Sequence, residues 1–302
     1  MFDVLTRAGC FIAIIFLGFV LKKVGLFKDT DFSVLSTVVL KITLPGAIIT
    51  NFANKELDPS MFILTLLGVL CGTIYILLGF ILNLRSGKEQ RAFEILNLPG
   101  YNIGCFALPF VQSFLGPVGV IATCLFDIGN GFICLGTAFS IAVMVKDGGH
   151  FSLKRVIRTL AKSIPFMLYV IMPVLCLTHI PIPTVITSFA GIVGNANAFM
   201  AMFMIGVGFK LTADKTQIGR IIKILSTRFG IAAIFALCFY FLLPFSPEIR
   251  KTLVILVFSP IGAAVPAFTS EMNGDVGLSS AINSLSIICS IVMIVTLLAV
   301  IP

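Results

Sequence analysis

Asp127, Asn130, Lys41 and Glu271 are polar side chains within or at the end of long apolar stretches, and they are the first candidates for chemistry. Asp127 and Asn130 are three residues apart, which places them on one face of a helix. If these stretches lie in a membrane, a carboxyl group there is costly and is a functional candidate by default. Asp127 could bind and release a proton, and Lys41 could be a charge partner for Asp127 or for an anion. The four residues are therefore candidates for binding an ion.

Each charged candidate also has a plain structural explanation. Asp127 could be a packing carboxyl group satisfied by hydrogen bonds. Lys41 could extend its charge to the membrane surface, and Glu271 could be an ordinary residue of the membrane interface. The residue types alone leave these alternatives open.

Proline and glycine interrupt two other apolar stretches. Residues 97–104 read Asn-Leu-Pro-Gly-Tyr-Asn-Ile-Gly, and residues 259–262 read Ser-Pro-Ile-Gly. Backbone groups released by proline are tolerated in a membrane only where they line protein or a wet cavity. Asn102 can donate and accept hydrogen bonds, which suits a carboxylate or an amide substrate. Half-helix N-termini at the breaks add positive partial charge for an anion. Simple proline kinks are the alternative. We predict a substrate site made by Tyr101, Asn102, Gly104, Pro260, Ile261 and Gly262.

Composition indicates a membrane protein. Of 302 residues, 58% are hydrophobic and 11% are charged, against about 25% charged in soluble domains. The net charge of +8 does not indicate nucleic acid, because the basic residues lie between apolar runs. The eight cysteines form no CxxC pair, and the two histidines are isolated from each other. Neither HExxH nor GxSxG occurs, so we predict no metal, no cofactor and no enzymatic activity.

Apolar runs of spanning length recur along the whole chain. We place ten spans at about 5–21, 33–53, 60–83, 92–115, 118–145, 156–178, 184–209, 220–243, 250–271 and 277–301. The chain is therefore predicted to be an all-α membrane protein with ten transmembrane helices. The interrupted stretches are the fourth and the ninth spans.

The basic residues predict the orientation. With ten spans, sixteen basic residues fall on one face: Lys22, Lys23, Lys28, Arg85, Lys88, Arg91, Lys146, Lys154, Arg155, Arg158, Lys162, Lys210, Lys215, Arg220, Lys223 and Arg228. Four fall on the other: Arg7, Lys55, Arg250 and Lys251. Cytoplasmic loops carry the excess of Lys and Arg. We expect an integral protein of a bacterial-type cytoplasmic (inner) membrane with both termini extracytoplasmic.

The hydrophilic stretch 146–162 divides the spans into five and five. Residues 1–148 and 149–302 would then be two repeats, and the odd number of spans forces them into opposite orientations. A short echo supports this, since Ala-Leu-Pro-Phe at 107–110 resembles Ala-Val-Pro-Ala at 264–267. Interrupted helices at corresponding positions of two halves point to a transporter binding site.

Several motifs resemble the auxin efflux carrier family. Residues 17–53 carry Gly-Leu-Phe at 25–27 and Leu-Pro-Gly-Ala at 44–47. The fourth span matches the family at Asn102, Gly104, Leu108 and Pro109, and the ninth at Pro260, Gly262, Phe268 and Glu271. The seventh span, residues 194–206, also resembles the family. The plant PIN-FORMED carriers of this family differ by a long central loop and by proline where this chain has Tyr101. The bile acid:sodium symporters are more distant relatives.

The resemblance implies an inverted five-plus-five repeat, in which helices four and nine cross near the midplane and part of the protein moves in an elevator-like way. It leads to the interpretation of a secondary active transporter of small organic anions, such as malate-like, malonate-like or auxin-like acids, driven by protons or by the membrane potential. The alternative is a sodium-coupled symporter resembling the bile acid:sodium symporters. A channel or a sensory protein stays open. The expected partners are the anion, the lipid bilayer and H+ or Na+; a homodimer is left open, and nucleic acid is not expected.

Overall fold

The computed structural model describes residues 2–148, 150–210 and 214–301. Throughout these ranges the regular secondary structure is helical. Gly149, where the second repeat is predicted to begin, lies outside the described residues, and so does the side chain of Lys215.

The helices of the first half follow the predicted spans, with a break in the fourth. They are α1 (Phe2–Lys23), α2 (Asp31–Phe52), α3 (Pro59–Ile81), α4 (Lys88–Asn97), α5 (Ile103–Phe114) and α6 (Pro117–Asp147). Gly148 ends α6 in the left-handed conformation, at φ 73°, which glycine adopts without steric cost.

The second half contains an additional helix before its first long apolar one. Its helices are α7 (Leu153–Lys162), α8 (Ile164–Leu177), α9 (Thr184–Gly208), α10 (Ile218–Leu242), α11 (Pro247–Val257), α12 (Val265–Glu271) and α13 (Val276–Val300). Short polar side chains cap several N-termini. The Ser246 side chain accepts a hydrogen bond from the backbone of Ile249, and the Asp275 side chain accepts one from Leu278.

Seven helices in the described ranges are long and apolar enough to cross a membrane: α1, α2, α3, α6, α9, α10 and α13. An eighth is reached if α7 and α8 are one span, but the two helices meet at 83°. The prediction of a single sixth span at about 156–178 is therefore wrong in its first part, where α7 turns away from α8. The remaining predicted spans, the fourth and the ninth, are pairs of short helices.

Glycines allow the long helices to pack closely. A side-chain carbon on Gly206 of α9 would lie 2.0 Å from the backbone oxygen of Ile15 in α1. One on Gly129 of α6 would lie 2.0 Å from the backbone oxygen of Thr65 in α3. Small residues at such contacts let helix backbones approach in an apolar environment, where packing rather than water exclusion holds helices together.

Candidate substrate cavity

The two interrupted regions touch each other. Between α4 and α5 residues 98–102 are not helical in the α sense, and between α11 and α12 residues 258–264 are also irregular. The backbone N–H of Asn102 donates a hydrogen bond to the Pro260 carbonyl, with 2.9 Å between nitrogen and oxygen. The predicted breaks are thus in direct contact, and each supplies a partner for the other's released backbone groups.

Arg228 holds the breaks together from α10. Its guanidinium donates to the carbonyl oxygens of Leu98 (2.6 Å), Gly100 (2.9 Å) and Ser259 (2.9 Å). Carbonyls at helix C-termini lack partners within the helix and carry negative partial charge. The planar guanidinium has five donors, so one side chain serves the ends of both α4 and α11.

Two tyrosines enclose this guanidinium. Its carbon lies 4.9 Å from the ring centre of Tyr101 and 5.5 Å from that of Tyr75. The Tyr75 hydroxyl in turn donates to the backbone oxygen of Arg228. Arg228 is 0% exposed, and cation–π contacts are strongest where the cation is desolvated. Its charge is therefore compensated by dipoles and rings, with no carboxylate in its described contacts.

The prediction that Arg228 lies in a cytoplasmic loop is wrong, because it lies in the middle of α10. Without it, the basic set on that face falls from 16 to 15 residues, so the bias is kept. The sequence does contain a signal that Arg228 is buried in a span. Arg228 lies inside the eighth predicted span, and a charge at that depth has the same meaning as Asp127 in the fifth.

An asparagine from the following long helix secures the first break. The Asn130 side-chain oxygen of α6 accepts from the backbone N–H of Tyr101, and its amide nitrogen donates to the Tyr101 carbonyl, both at 2.8 Å. The same nitrogen donates to the Asp127 carboxyl at 2.7 Å. Asn130 therefore connects Asp127 to the break.

The second break is secured in the same manner from α13. The Asn283 amide donates to the Ile261 and Gly262 carbonyls at 3.0 and 3.3 Å. The Ser286 hydroxyl accepts from the Ile261 N–H at 3.1 Å. Sequence reasoning missed both residues, although amides and hydroxyls inside an apolar span are signals of internal hydrogen bonding.

A cavity of about 380 Å³ lies beside the first break. Of the predicted residues, seven line it: Tyr101, Asn102, Gly104, Gly262, Asp127, Asn130 and Lys41. Pro260 and Ile261 lie directly before Gly262 but are not part of the wall. Glu271 lies outside the cavity, where it is exposed and forms an ion pair with Arg155. This position agrees with the alternative that Glu271 is an ordinary residue of the membrane interface.

Three helices have a π turn in the cavity region, at Val39–Thr43, Ile103–Ala107 and Ile133–Thr137. Each contributes residues to the wall, for example Lys41, Gly104 and Cys134. A π turn widens the helix and leaves backbone groups out of the regular pattern, and such turns are frequent at functional sites. No pattern of residue types in the sequence indicates a π turn, so these three turns were not predicted.

The charges in the cavity wall are unequal in number. Lys41 and Lys162 contribute ammonium groups and Asp127 a carboxyl group that is 9% exposed. Among the described ion pairs none involves these three groups, so the expected direct pairing of Lys41 with Asp127 is absent there. The buried Tyr169 hydroxyl lies near the Asp127 carboxyl but outside strict hydrogen-bond geometry. A ligand in the cavity would meet donors from several directions.

Another buried carboxyl group lies outside the cavity. Glu94 in α4 is 3% exposed, and Lys223 of α10 pairs with it at 3.1 Å. The Asn83 amide also donates to this carboxyl. Its hydrogen bonds are satisfied, so it serves to attach α10 to α4. Within the three described ranges, no group of three or more His, Cys, Asp or Glu is arranged to hold a metal ion.

The comparisons agree with the sequence motifs over the first half of the chain. Residues 10–150 match the model of the family described as membrane transport protein. A protein described as an uncharacterized transporter, from Methanothermobacter thermautotrophicus, is 27% identical over 139 residues, which cover 43% of this chain and 45% of that protein. The match thus spans less than half the length of that relative. The chain is an integral membrane protein whose first half is similar to the auxin efflux carrier type of membrane transport protein, and the resemblance found in its motifs is confirmed there.

Proposed function

We propose that this protein is a secondary active transporter of small organic anions and that the cavity beside the two breaks holds the anion. The observation that carries the proposal is the contact of the breaks, Asn102 to Pro260, at the edge of a cavity that contains Asn102, Lys41 and Asp127. Membrane transporters bind solutes where interrupted helices meet. The similarity of residues 10–150 to membrane transport proteins agrees with it.

The electrostatics of the cavity favour an anion. The first turn of α5 has N–H groups that lack partners within the helix, and its Ile103, Gly104 and Cys105 are in the wall. The opposing carbonyl ends of α4 and α11 are occupied by Arg228. What is left for a ligand is the positive end of α5 together with Lys41 and Lys162.

The size and apolar walls of the cavity limit the substrate class. About 380 Å³ is at the lower end of small-molecule sites. Leu40, Leu44 and Phe166 line the wall next to the polar groups. A carboxylic acid with a compact apolar body fits these walls best, and short dicarboxylates such as malate-like or malonate-like acids remain within the class.

Asp127 is the proposed coupling group. It is a buried carboxyl group in the same wall as Asn102, so its protonation changes the net charge that the anion meets. Asn130 transmits the state of Asp127 to the first break, because it bonds both the carboxyl and Tyr101. Sodium coupling is the competing possibility and is separated from proton coupling by the experiment below.

The proposed architecture is ten spans in an inverted five-plus-five repeat, 1–148 and 149–302, with both termini extracytoplasmic. In support, each break is held by an asparagine of the next long helix, Asn130 for the first and Asn283 for the second. In this architecture the α4–α5 pair is the fourth span and the α11–α12 pair is the ninth, although each of these helices is too short to cross the membrane alone.

An elevator-like motion is the proposed mechanism. Arg228, Asn130 and Asn283 tie α10, α6 and α13 to the breaks as one unit. The helices α1, α2 and α9 pack on one another through glycines, Gly18 with α9 and Gly46 with α9. The cavity lies between these groups, since Lys41 comes from α2 and Asn102 from the break. Movement of one group against the other would carry the anion.

The test is uptake of labelled mono- and dicarboxylates by proteoliposomes, with proton, sodium and potential gradients imposed one at a time. We expect uptake of at least one acid under a proton gradient or potential, and its loss in Asn102→Ala. Gln112→Ala in α5 is the matched control, because Gln112 does not line the cavity. Uptake that depends on sodium alone would establish the competing coupling, and no uptake of any acid under any gradient would refute the proposal.

A further inference from the structure

Helix α7 carries three sets of side chains that differ in burial and charge. Val156 and Leu160 are buried against the protein, while Leu153, Ile157 and the neighbouring Ile164 are apolar and 41–56% exposed. The third stripe is basic and consists of Lys154, Arg158 and Lys162, which are all exposed. At 100° per residue, the buried and the exposed apolar side chains of α7 adjoin on one side of the helix, and the basic stripe lies on another side. Only the buried stripe is explained by packing within the chain.

The direction of α7 differs from that of the helix that follows it. It meets α8 at an angle of 83°, and the Ser163 hydroxyl between them accepts from the N–H of Phe166 to begin α8 afresh. Since α8 has 14 residues, its length is about 21 Å, less than the roughly 30 Å of a hydrocarbon core. If α8 crosses the membrane, α7 lies nearly parallel to the surface and close to the depth of the lipid headgroups.

Arg155 fixes the rotation of α7 about its own axis. It pairs with Glu271 of α12, and its guanidinium lies 4.6 Å from the ring centre of Phe139 in α6. With Arg155 bound to the protein, the basic stripe is left for another partner. The described ion pairs include none with Lys154, Arg158 or Lys162. Lys146 at the end of α6 adds a further cation nearby, bonded to the Met272 carbonyl.

We propose that α7 is an interfacial helix that binds the headgroups of acidic phospholipids. An apolar stripe beside a row of cations is the pattern of helices that lie in the headgroup region, with the apolar side chains in the acyl boundary and the cations at the phosphates. The spacing of three basic residues at every fourth position presents a row of positive charge about 12 Å long. Thr159 and Lys162 also line the cavity, so a bound headgroup lies next to the mouth of the candidate site.

The depth of α7 is measured with tryptophan, because the chain contains none. A single Ile157→Trp protein in lipid vesicles is quenched by nitroxides placed at the headgroup or deep in the acyl chain. Phe16→Trp, at an exposed position within α1, is the matched control. We expect the tryptophan at position 157 to be quenched most by the shallow nitroxide and that at position 16 most by the deep one. Absence of quenching at 157, or deep quenching there, overturns the interfacial placement.

Headgroup selectivity is measured with Lys154→Gln/Arg158→Gln, since neither residue lines the cavity. The matched control is Arg85→Gln/Lys88→Gln, which removes the same charge from exposed positions near α4. Binding of soluble dioctanoyl phosphatidylglycerol, dioctanoyl phosphatidylcholine and inorganic phosphate is followed by thermal stabilisation of the intact protein in detergent, after both variants are shown to elute as folded species. Each basic residue near a lipid surface contributes about fivefold.

We therefore expect the α7 variant to bind phosphatidylglycerol about 10- to 30-fold more weakly than the control variant, with little change for phosphatidylcholine. Equal affinity in the two variants overturns the proposal. Stabilisation by inorganic phosphate as strong as that by phosphatidylglycerol shows a free-anion site and also overturns it. Because no transport is measured, the result is independent of whether the cavity carries organic anions.

Discussion

Replacement of Arg228 by lysine is expected to destabilise the protein strongly, although it keeps the charge. The guanidinium reaches carbonyls on both breaks, with contacts to Leu98, Gly100 and Ser259 at 2.9 Å or less. A lysine ammonium is a point charge without the planar fork, so it cannot span both breaks at once. One or two of these backbone carbonyls then lose their hydrogen-bond partner inside the protein.

The magnitude follows from these orphaned acceptors. An unsatisfied buried polar group costs about 1–3 kcal/mol, so Arg228→Lys should lower the free energy of unfolding by about 2–5 kcal/mol. At roughly 2–4 °C per kcal/mol, such a change corresponds to a decrease in melting temperature of about 4–20 °C. The tyrosine rings that surround the guanidinium lose cation–π contacts as well.

Arg220→Lys is the matched control for this change. Arg220 lies in the same helix, and its guanidinium carbon is 5.0 Å from the ring centre of Phe93, a single cation–π contact that contributes about 0.5–1 kcal/mol. Thermal unfolding of both variants in the same detergent gives the comparison. At roughly 2–4 °C per kcal/mol, a difference of about 2 °C between the two melting temperatures is at most about 1 kcal/mol. If Arg228→Lys melts within about 2 °C of Arg220→Lys, Arg228 does not hold the breaks together as argued.

The remaining predictions address binding, coupling, pH and topology. Asn102→Ala should weaken anion binding by about 1–3 kcal/mol, the cost of removing a buried polar partner, and unchanged affinity in calorimetry would contradict this. Asp127→Asn keeps the shape of the side chain but cannot titrate, so its uptake should lose the dependence on a proton gradient. Asp147→Asn, at the end of the same helix, should keep that dependence. Uptake driven by a proton gradient in Asp127→Asn would exclude the proton role. Hydrogen bonds from Lys22 and Lys210 lower the pKa of Asp29 below its ordinary value of 3.8. The Asp29 carboxylate therefore contributes to stability above about pH 3.8, and this contribution is lost as the pH falls through the lower pKa of the folded state. Asp29→Asn should be less stable than the wild type at neutral pH and as stable as the wild type in strong acid. Terminal tags should be cleaved by an impermeant protease added outside intact cells, and cleavage only after opening of the cells would reverse the topology.

The positions of the two breaks could be predicted from the sequence because their causes are local. Proline at 99 and 260 removes backbone donors within otherwise apolar runs, and this is visible without any knowledge of the fold. That Asn102 and Pro260 lie together was predicted from the corresponding places of the fourth and ninth spans in the two repeats that we propose. The length and apolar character of the other spans are local properties as well, and seven helices agree with them.

The residues that secure the breaks could not be assigned in the same way. Asn130, Asn283 and Arg228 act on backbone groups that are distant in sequence, and which carbonyl each one meets depends on helix packing. The bend between α7 and α8 was missed for a different reason. Hydropathy averaged over a window merges an amphipathic helix with the apolar helix that follows it, so only the basic stripe of Lys154, Arg158 and Lys162 marked the boundary.

The bonding of Arg228 has a consequence for how the cavity could open. Because one guanidinium donates to Gly100 and to Ser259, the breaks cannot separate without leaving buried carbonyls unpaired. Each lost pair costs about 1–3 kcal/mol, which a small solute would have to offset at every cycle. Lys41 on α2 has no such bond to the breaks among the described contacts. In the proposed mechanism, the low-cost boundary therefore runs through the cavity, between α2 and the breaks, and access to Asn102 would change by movement along that boundary while the contact between the breaks is kept.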